Sequence, residues 1–277
     1  MNNNIVYKYM AQLFLRYKED DLASMSAQIT YYLILAFFPF LFFLINLLSF
    51  TPVSNRILFA NFAALLPNDA AVLVKNMVVQ AMQDKSETLL LLGMIGSLWA
   101  ASQGMSAVIR GLNHSYDVKE TRNFFKRYFS ALISTVCVSV MITFSFLMIV
   151  FGRIIGTYAF ELIGEKTLFQ SIWPWLRYGI SHLFLLVTFY LMYRYLPNKK
   201  LKFRNIMIGT VFATVGWVSA SSLFSFYVNS FASYQRVYGS LGGIFALIIW
   251  LYISTLIILL GGELNAISSK FEEKEKI

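Results

Sequence analysis

Charged side chains are excluded from six long apolar stretches of this chain. The uncharged stretches are, in chain order, 22–55, 88–109, 128–152, 178–193, 205–235 and 237–262. A helix of about 20 apolar residues spans the hydrocarbon core of a bilayer, and a charge at its centre costs about 2.5–3.5 kcal/mol on insertion scales. The pattern therefore predicts an all-α membrane protein with six transmembrane helices.

The predicted helices cover most of the chain as a single membrane domain. We place the spans at about 25–50, 88–113, 128–152, 174–195, 205–230 and 239–264. Residues 54–84 are too polar to span, yet they keep helical spacing, with Val74 and Val78 on one face and Asn76 and Gln80 on another. This segment predicts amphipathic helices on the outer face, between spans one and two.

Composition supports a membrane protein, and the position of its charge indicates how it is oriented. With 58% hydrophobic and 13% charged residues, the 277-residue chain has too little polar surface for a soluble protein. If the N-terminus is cytoplasmic, sixteen of the 23 Lys and Arg residues fall in inner segments, which follows the positive-inside rule and predicts both termini inside. Anionic lipid headgroups are then sufficient partners for the net charge of +9, and no nucleic-acid partner is predicted. The polar N-terminus does not resemble a signal peptide, so we expect none.

The second span is the most informative helix because its faces differ. Small residues at mostly four-residue spacing, which favour close helix packing, form a ridge of Gly96, Ala100, Gly104, Ala107 and Gly111. A second face carries Trp99, Gln103, Ser106, Arg110 and Asn113. A polar stripe that ends in arginine is costly against lipid, so we expect it to face the bundle interior.

Two polar layers are predicted, one near each membrane surface. The candidate inner layer consists of Gln28, Gln103, Arg110, Asn113, Glu263 and Asn265. The candidate outer layer consists of Asn46, Arg153, His182, Asn229 and Arg236. Spans two and six run in the same direction, so Arg110 and Glu263 fall at one depth and are expected to pair. Structural and functional interpretations stay open. In the structural ones the pair is an interhelical clasp that fixes packing, or Arg110 merely snorkels to headgroups; in the functional one the pair is an inner gate or a headgroup site.

Three segments of the chain resemble a known family. They are 26–48 (SAQITYYLILAFFPFLFFLINLL), 97–116 (SLWAASQGMSAVIRGLNHSY) and 238–266 (YGSLGGIFALIIWLYISTLIILLGGELNA). They resemble the YihY/BrkB family of integral membrane proteins, formerly labelled ribonuclease BN, and the six-helix layout is similar over nearly the full length. The resemblance implies a multi-pass protein of the bacterial cytoplasmic membrane, with suggested roles in lipid or solute transport and serum resistance. It also implies that the ribonuclease label is a misassignment.

The residues do not predict a catalytic site. The only histidines, His114 and His182, fall on opposite sides of the membrane in the predicted topology, and Cys137 is the single cysteine. Neither a His-Glu-x-x-His motif, a Walker A loop nor a nucleophile elbow occurs. We therefore predict no catalytic residue, no metal site and no cofactor.

The function favoured by these patterns is transport. We expect a transporter or flippase-like protein for an anionic lipid, a lipid-linked precursor or another amphiphile, whose charged head moves between the two layers. The alternative is a non-transporting scaffold that organises envelope enzymes. A transporter needs a cavity lined by Gln103, Arg110 and Glu263, whereas a scaffold tolerates a solid core. The sequence does not predict the oligomeric state.

Overall fold

A computed structural model describes residues 3–50, 87–141, 144, 166–199, 201–230 and 241–274. Within these ranges the chain forms helices and no strand, as predicted. The helices are α1 (Asn3–Glu19), α2 (Leu22–Phe50), α3 (Glu87–Ser115), α4 (Phe124–Met141), α5 (Lys166–Tyr195), α6 (Phe203–Ser230) and α7 (Leu241–Lys274).

Length and composition identify membrane-spanning candidates among these helices. Four stretches of the described chain are long and apolar enough to cross a bilayer: Glu87–Ser115, Phe124–Met141, Phe203–Tyr227 and Gly243–Glu273. A shorter apolar stretch, Leu22–Phe37, lies in α2. These candidates agree with the predicted membrane protein, while six spans and cytoplasmic termini stay predictions.

The helix bounds agree closely with the hydropathy pattern in part of the chain. Helices α2, α3 and α6 begin and end within three residues of the predicted segments. Helix α7 continues to Lys274, ten residues beyond the predicted end of span six, because its C-terminal turns pack against α1 and α6. The predicted amphipathic segment at 54–84 lies outside the described residues, and so do residues 142–143 and 145–152 of the predicted span three.

Helix α1 is an element that the hydropathy pattern did not predict. Leu13 is buried in a cluster with Leu264 and Ile267 of α7, whereas Tyr7 and Phe14 are exposed. A turn at Asp20 and Asp21 separates α1 from α2, and the positive φ of 45° at Asp21 is a conformation that Asp tolerates better than most residues. Helix α1 therefore buries one face against the C-terminal part of α7 and leaves other apolar side chains exposed.

The small-residue ridge of α3 makes the close contacts expected of it. Helix α3 packs extensively along α2 and also contacts α7. A Cβ atom added to Gly104 would lie 3.4 Å from Leu33 of α2, and one added to Gly111 would lie 2.7 Å from Leu259 of α7. The ridge therefore lets α3 approach two neighbouring helices.

Helices α5, α6 and α7 converge where α7 is most deeply buried. A Cβ atom on Gly209 of α6 would overlap the Gly261 carbonyl oxygen of α7. Beside this crossing, the Tyr193 hydroxyl of α5 donates a 2.8 Å hydrogen bond to the Ile258 carbonyl oxygen. Residues 261–269 of α7 are all buried. This end of the bundle is tightly packed, and it holds Asn113, Glu263 and Asn265 of the predicted inner layer.

Candidate functional site

A cluster of ion pairs surrounds Arg16 at this end of the bundle. Arg16 Nη1 donates to Glu263 Oε2 of α7 at 2.7 Å and to the Ser115 carbonyl oxygen of α3 at 2.7 Å. Its Nη2 donates to Asp117 at 3.0 Å. The Glu263 side chain is fully buried, and a buried carboxylate requires such partners. Arg16 therefore joins α1, α3 and α7 through one guanidinium group.

The outer edge of this ion-pair cluster is more exposed. Lys270 donates to Asp117 Oδ2, and Asp20 lies 3.4 Å from His114 Nδ1. Burial alone raises the pKa of Asp117, but the hydrogen bond from Lys270 and the charges of Arg16 and Lys270 together hold it below its ordinary value. Asp117 thus stays ionised at neutral pH and holds α1 and α7 to the turn after α3.

Asn113 belongs to a second network, which joins two loops. Its Nδ2 donates to Glu120 at 2.9 Å, and its Oδ1 accepts from the Asn198 backbone N–H at 2.7 Å. Arg122 forms two 2.7 Å hydrogen bonds with the Glu120 carboxylate and a third with the Leu196 carbonyl oxygen. Asn113 therefore fixes the α3–α4 loop against the loop after α5.

Asn265 plays a packing role between α6 and α7. Its Oδ1 accepts a 2.6 Å hydrogen bond from the backbone N–H of Gly209. Asn265 is fully buried and lies one helical turn beyond Gly261. The amide therefore helps to fix the close crossing of these helices.

A groove between α3 and the start of α4 forms a different environment. This α3–α4 groove encloses about 320 Å³ and is lined by Trp99, Gln103, Ser106, Arg110, Phe124, Phe125, Arg127 and Tyr128. At 100° per residue, its four α3 positions share one face. Among these lining residues the only charges are the two arginines. The groove is therefore positively charged, with aromatic walls and two uncharged polar side chains.

The predicted pairing of Arg110 with Glu263 is wrong. Glu263 pairs with Arg16, whereas Arg110 is exposed in the α3–α4 groove and forms no ion pair with any described residue. The expectation that the polar face of α3 points into the bundle interior also fails for Trp99, which is 51% exposed. The reason is that α2 and α7 cover the other sides of α3, which leaves Trp99, Gln103, Ser106 and Arg110 in the groove beside the start of α4.

The remaining predicted residues are not brought together by the structure. Gln28 is exposed on α2, away from the core. His182 is exposed, and its Nδ1 lies 2.7 Å from the Tyr178 carbonyl oxygen of its own helix. The rest of the outer layer has side chains outside the described set: Asn46, Arg153, Asn229 and Arg236.

The described part of the chain also contains no group of three or more His, Cys, Asp or Glu residues able to hold a metal ion.

Arg16, which completes the Glu263 site, was missed because the N-terminal segment looked merely polar. The useful signal was the helical spacing of Tyr9, Leu13 and Arg16, which places apolar and charged partners on one face.

Comparison with known proteins gives the chain a family. The family model described as virulence factor BrkB matches residues 13–277. YfkH of Bacillus subtilis (strain 168), whose name describes it as ribonuclease-like, is 42% identical over 95% of both chains. A UPF0761 membrane protein of Haemophilus influenzae (strain 86-028NP) is 25% identical over 94% of both chains.

A further relative is longer than this chain, and the solved structures offer no counterpart. A UPF0761 membrane protein of Chromohalobacter salexigens is 26% identical over 95% of this chain and 63% of its own length. No solved structure matches the chain. The extent of the family match and the apolar helices agree: the chain belongs to the family described as virulence factor BrkB, and it is a multi-pass bacterial membrane protein.

Proposed function

We propose that this protein moves an anionic amphiphile, such as an anionic lipid or a lipid-linked precursor, across the membrane. The charged head binds first in the α3–α4 groove. The observation that supports this proposal is the presence of Arg110 and Arg127 in one cavity of about 320 Å³, whose described lining residues include no acidic side chain.

The chemistry of the groove suits a phosphate or carboxylate. A guanidinium group presents a planar fork of donors that binds such oxygens bidentately. Gln103 and Ser106 add uncharged polar groups beside the two arginines. Trp99 and Tyr128 add amphipathic ring surfaces, which are favoured at the membrane–water interface. An anionic head with an apolar tail matches both kinds of wall.

The depth of Arg110 strengthens the case for an anionic ligand. It lies five residues before the end of α3, or about 8 Å at 1.5 Å per residue. A charge so close to the hydrocarbon needs either an anion or a path to water. The anionic headgroup of a lipid that enters the groove would pair with the positive charge of Arg110 at that depth.

The proposal requires six spans with both termini in the cytoplasm. Arg16, near the end of α1, contacts Ser115 and Glu263, and Asn113, near the end of α3, contacts Asn198. The C-terminal ends of α1 and α3 therefore lie close to α7 and to the α5–α6 loop. This arrangement supports alternating helix directions. The α3–α4 groove then opens on the cytoplasmic side.

A scaffold is the second candidate, and one observation favours it. Helix α1 exposes Tyr7, Met10 and Phe14 at helical spacing, with the Lys18 ammonium 4.7 Å from the Phe14 ring centroid. An exposed apolar face flanked by a cation suits a membrane surface or a protein partner. Binding of this face to a membrane surface or a protein partner does not require a transport path.

Lipid movement in proteoliposomes distinguishes the two functions. Fluorescent phosphatidylglycerol and a fluorescent polyprenyl phosphate are reconstituted with wild type, Arg110→Ala or Arg127→Ala. Loss of a charge-assisted hydrogen bond worth about 1.5–3 kcal/mol lowers binding about tenfold or more, so both variants should slow movement by about that factor. Arg204→Ala is the matched control, because Arg204 is exposed at the start of α6 and does not line the groove. Equal rates in empty and protein-containing vesicles would refute transport of these lipids.

A further inference from the structure

A second groove lies on the other side of α4, against α5. This α4–α5 groove encloses about 590 Å³ and is lined by Lys126, Phe129, Ser130, Ile133, Ser134, Cys137, Val138, Met141, Thr188, Leu191, Met192, Tyr195 and Leu196. At 100° per residue, Ile133 and Cys137 lie roughly opposite Phe124 and Tyr128 of the first groove. The two grooves are therefore separate binding surfaces.

Most of the side chains that line the α4–α5 groove are apolar, and some of its few polar groups already form hydrogen bonds within the protein. The Thr188 hydroxyl donates a 2.8 Å hydrogen bond to the Phe184 carbonyl oxygen of its own helix. Ser130 Oγ accepts from Arg122 at 3.4 Å. The Thr188 hydroxyl therefore does not require a polar ligand, and most of the other lining side chains are aliphatic, aromatic or sulfur-containing. The groove suits a hydrocarbon occupant.

One charge marks the end of the α4–α5 groove. Lys126 is exposed in the first turn of α4, and among the described lining residues it carries the only charge. Tyr195 lies at the same end and is 68% exposed. A tyrosine beside a lysine is typical of the membrane–water interface. An occupant with an anionic group at this end matches the lysine.

The groove is long enough for an acyl chain of one leaflet. From Lys126 to Met141, both in its lining, is fifteen residues, or about 22 Å at 1.5 Å per residue. Half of a hydrocarbon core of about 30 Å is about 15 Å. An acyl chain that lies along α4 from a headgroup at Lys126 therefore ends near Cys137.

The side chains also favour a lipid chain over a helix from a second copy. Close helix association in membranes uses small residues on both helices. This groove has Ser130 and Ser134 at that spacing on α4, but the bulky Phe129 and Ile133 flank them. Its α5 wall presents Leu191 and Met192, which would keep a second helix away. Met192 and Met141 are flexible and adapt to an irregular chain. We propose that the α4–α5 groove binds one acyl chain of an anionic phospholipid, with its phosphate held by Lys126. This binding site is independent of the proposed transport function.

Photocrosslinking to the full chain in bilayers tests this proposal. Phosphatidylglycerol and phosphatidylcholine, each with a diazirine near the end of one acyl chain, are added to the reconstituted protein and irradiated. Peptide mass spectrometry then locates the adducts. Adducts of phosphatidylglycerol are expected at residues 133–141 and 188–192. Unlabelled phosphatidylglycerol should compete with the probe and lower their yield.

Two substitutions separate the charge from the shape of the groove. A lysine near an anionic lipid surface contributes about 1 kcal/mol, which is about a fivefold change in affinity. Lys126→Gln should therefore lower phosphatidylglycerol capture about fivefold, toward the phosphatidylcholine level. Lys119→Gln is the charge-matched control, because Lys119 is exposed in the α3–α4 loop outside the groove. Ser134→Phe should fill the groove and suppress capture of both lipids.

Other results would overturn the assignment. Equal capture of the two lipids by wild type, or unchanged capture by Lys126→Gln, would exclude an anionic preference. Crosslinks spread evenly over the apolar helices would exclude a defined lipid-binding site in the α4–α5 groove. Adducts that disappear as the protein-to-lipid ratio rises would instead assign the groove to a second copy of the chain. Arg127→Ala should leave capture here unchanged while slowing transport, so failure of one proposal does not imply failure of the other.

Discussion

Arg16 and Arg110 lie near the same end of the bundle, yet their surroundings are opposite. Arg16 has a side chain only 14% exposed and contacts Glu263, Asp117 and the Ser115 carbonyl oxygen. Arg110 is exposed in a groove and has no ion pair among the described residues. A charge enclosed by internal partners stabilises the fold. A charge left open in a groove is available to a ligand, and this difference separates the structural centre from the candidate site.

Removing Arg16 should have the largest effect on stability. Arg16→Ala leaves the buried carboxylate of Glu263 without its cation, and breaking a buried pair in this way costs about 3–5 kcal/mol. Equilibrium unfolding in mixed micelles measures the loss. Arg110→Ala, an exposed change, should cost no more than about 0.5 kcal/mol. Similar losses for the two variants would remove the distinction between the arginines.

Overfilling the α6–α7 crossing should have the next largest effect. A Cβ atom in Gly209→Ala would overlap the Gly261 carbonyl oxygen and lie 2.6 Å from Asn265 Oδ1, and such overpacking costs about 1–3 kcal/mol. Gly179→Ala is the control, because nothing lies within 4 Å of an added Cβ there. Thermal unfolding of both variants should show Gly209→Ala melting lower and Gly179→Ala melting at or above wild type. If both melted alike, the close crossing would be refuted.

The loop network should produce a smaller effect that depends on pH. Hydrogen bonds from Arg122 lower the pKa of Glu120 below its ordinary 4.5. The stabilisation is therefore complete above about pH 4.5 and is lost as pH falls through the lower, folded-state value. Because the side chains are partly exposed, Glu120→Gln should cost no more than about 1 kcal/mol at pH 7.

Unfolding of Glu120→Gln and wild type at several pH values tests this effect. The difference between them should shrink below pH 4.5, where the wild-type carboxylate also becomes neutral. Glu19→Gln, at the exposed end of α1, serves as the control for loss of one surface carboxylate. A difference that grows with acidity would contradict the assigned role of the Glu120–Arg122 pair.

The hydropathy pattern predicted the helices better than it predicted their side-chain partners. Charge-free stretches are dictated by the cost of polar groups in hydrocarbon, so α2, α3 and α6 were placed within three residues. The same pattern carries little information about an interfacial helix, whose mixed composition resembles a loop. Helix α1 was missed for this reason, and Arg16 with it.

Depth along a helix does not specify direction around the bundle. Arg110 and Glu263 were predicted to share one depth and to pair, but α3 turns Arg110 toward α4 while α7 turns Glu263 toward α1. Asn113 and Asn265 were placed in a polar layer, yet their hydrogen bonds to Asn198 and Gly209 depend on loop and helix contacts that periodicity alone does not reveal. The outer polar layer stays a prediction, apart from the exposed His182.

The most direct measurement is a paired comparison of Arg16→Gln and Arg110→Gln, with lipid movement in proteoliposomes normalised to the amount of folded protein. Arg16→Gln should lower the unfolding temperature while the protein that remains folded moves the anionic lipid at nearly the wild-type rate. Arg110→Gln should keep the wild-type unfolding temperature and slow movement about tenfold. Slow movement by the folded Arg16→Gln protein together with wild-type movement by Arg110→Gln would contradict the assignment of the substrate to the α3–α4 groove.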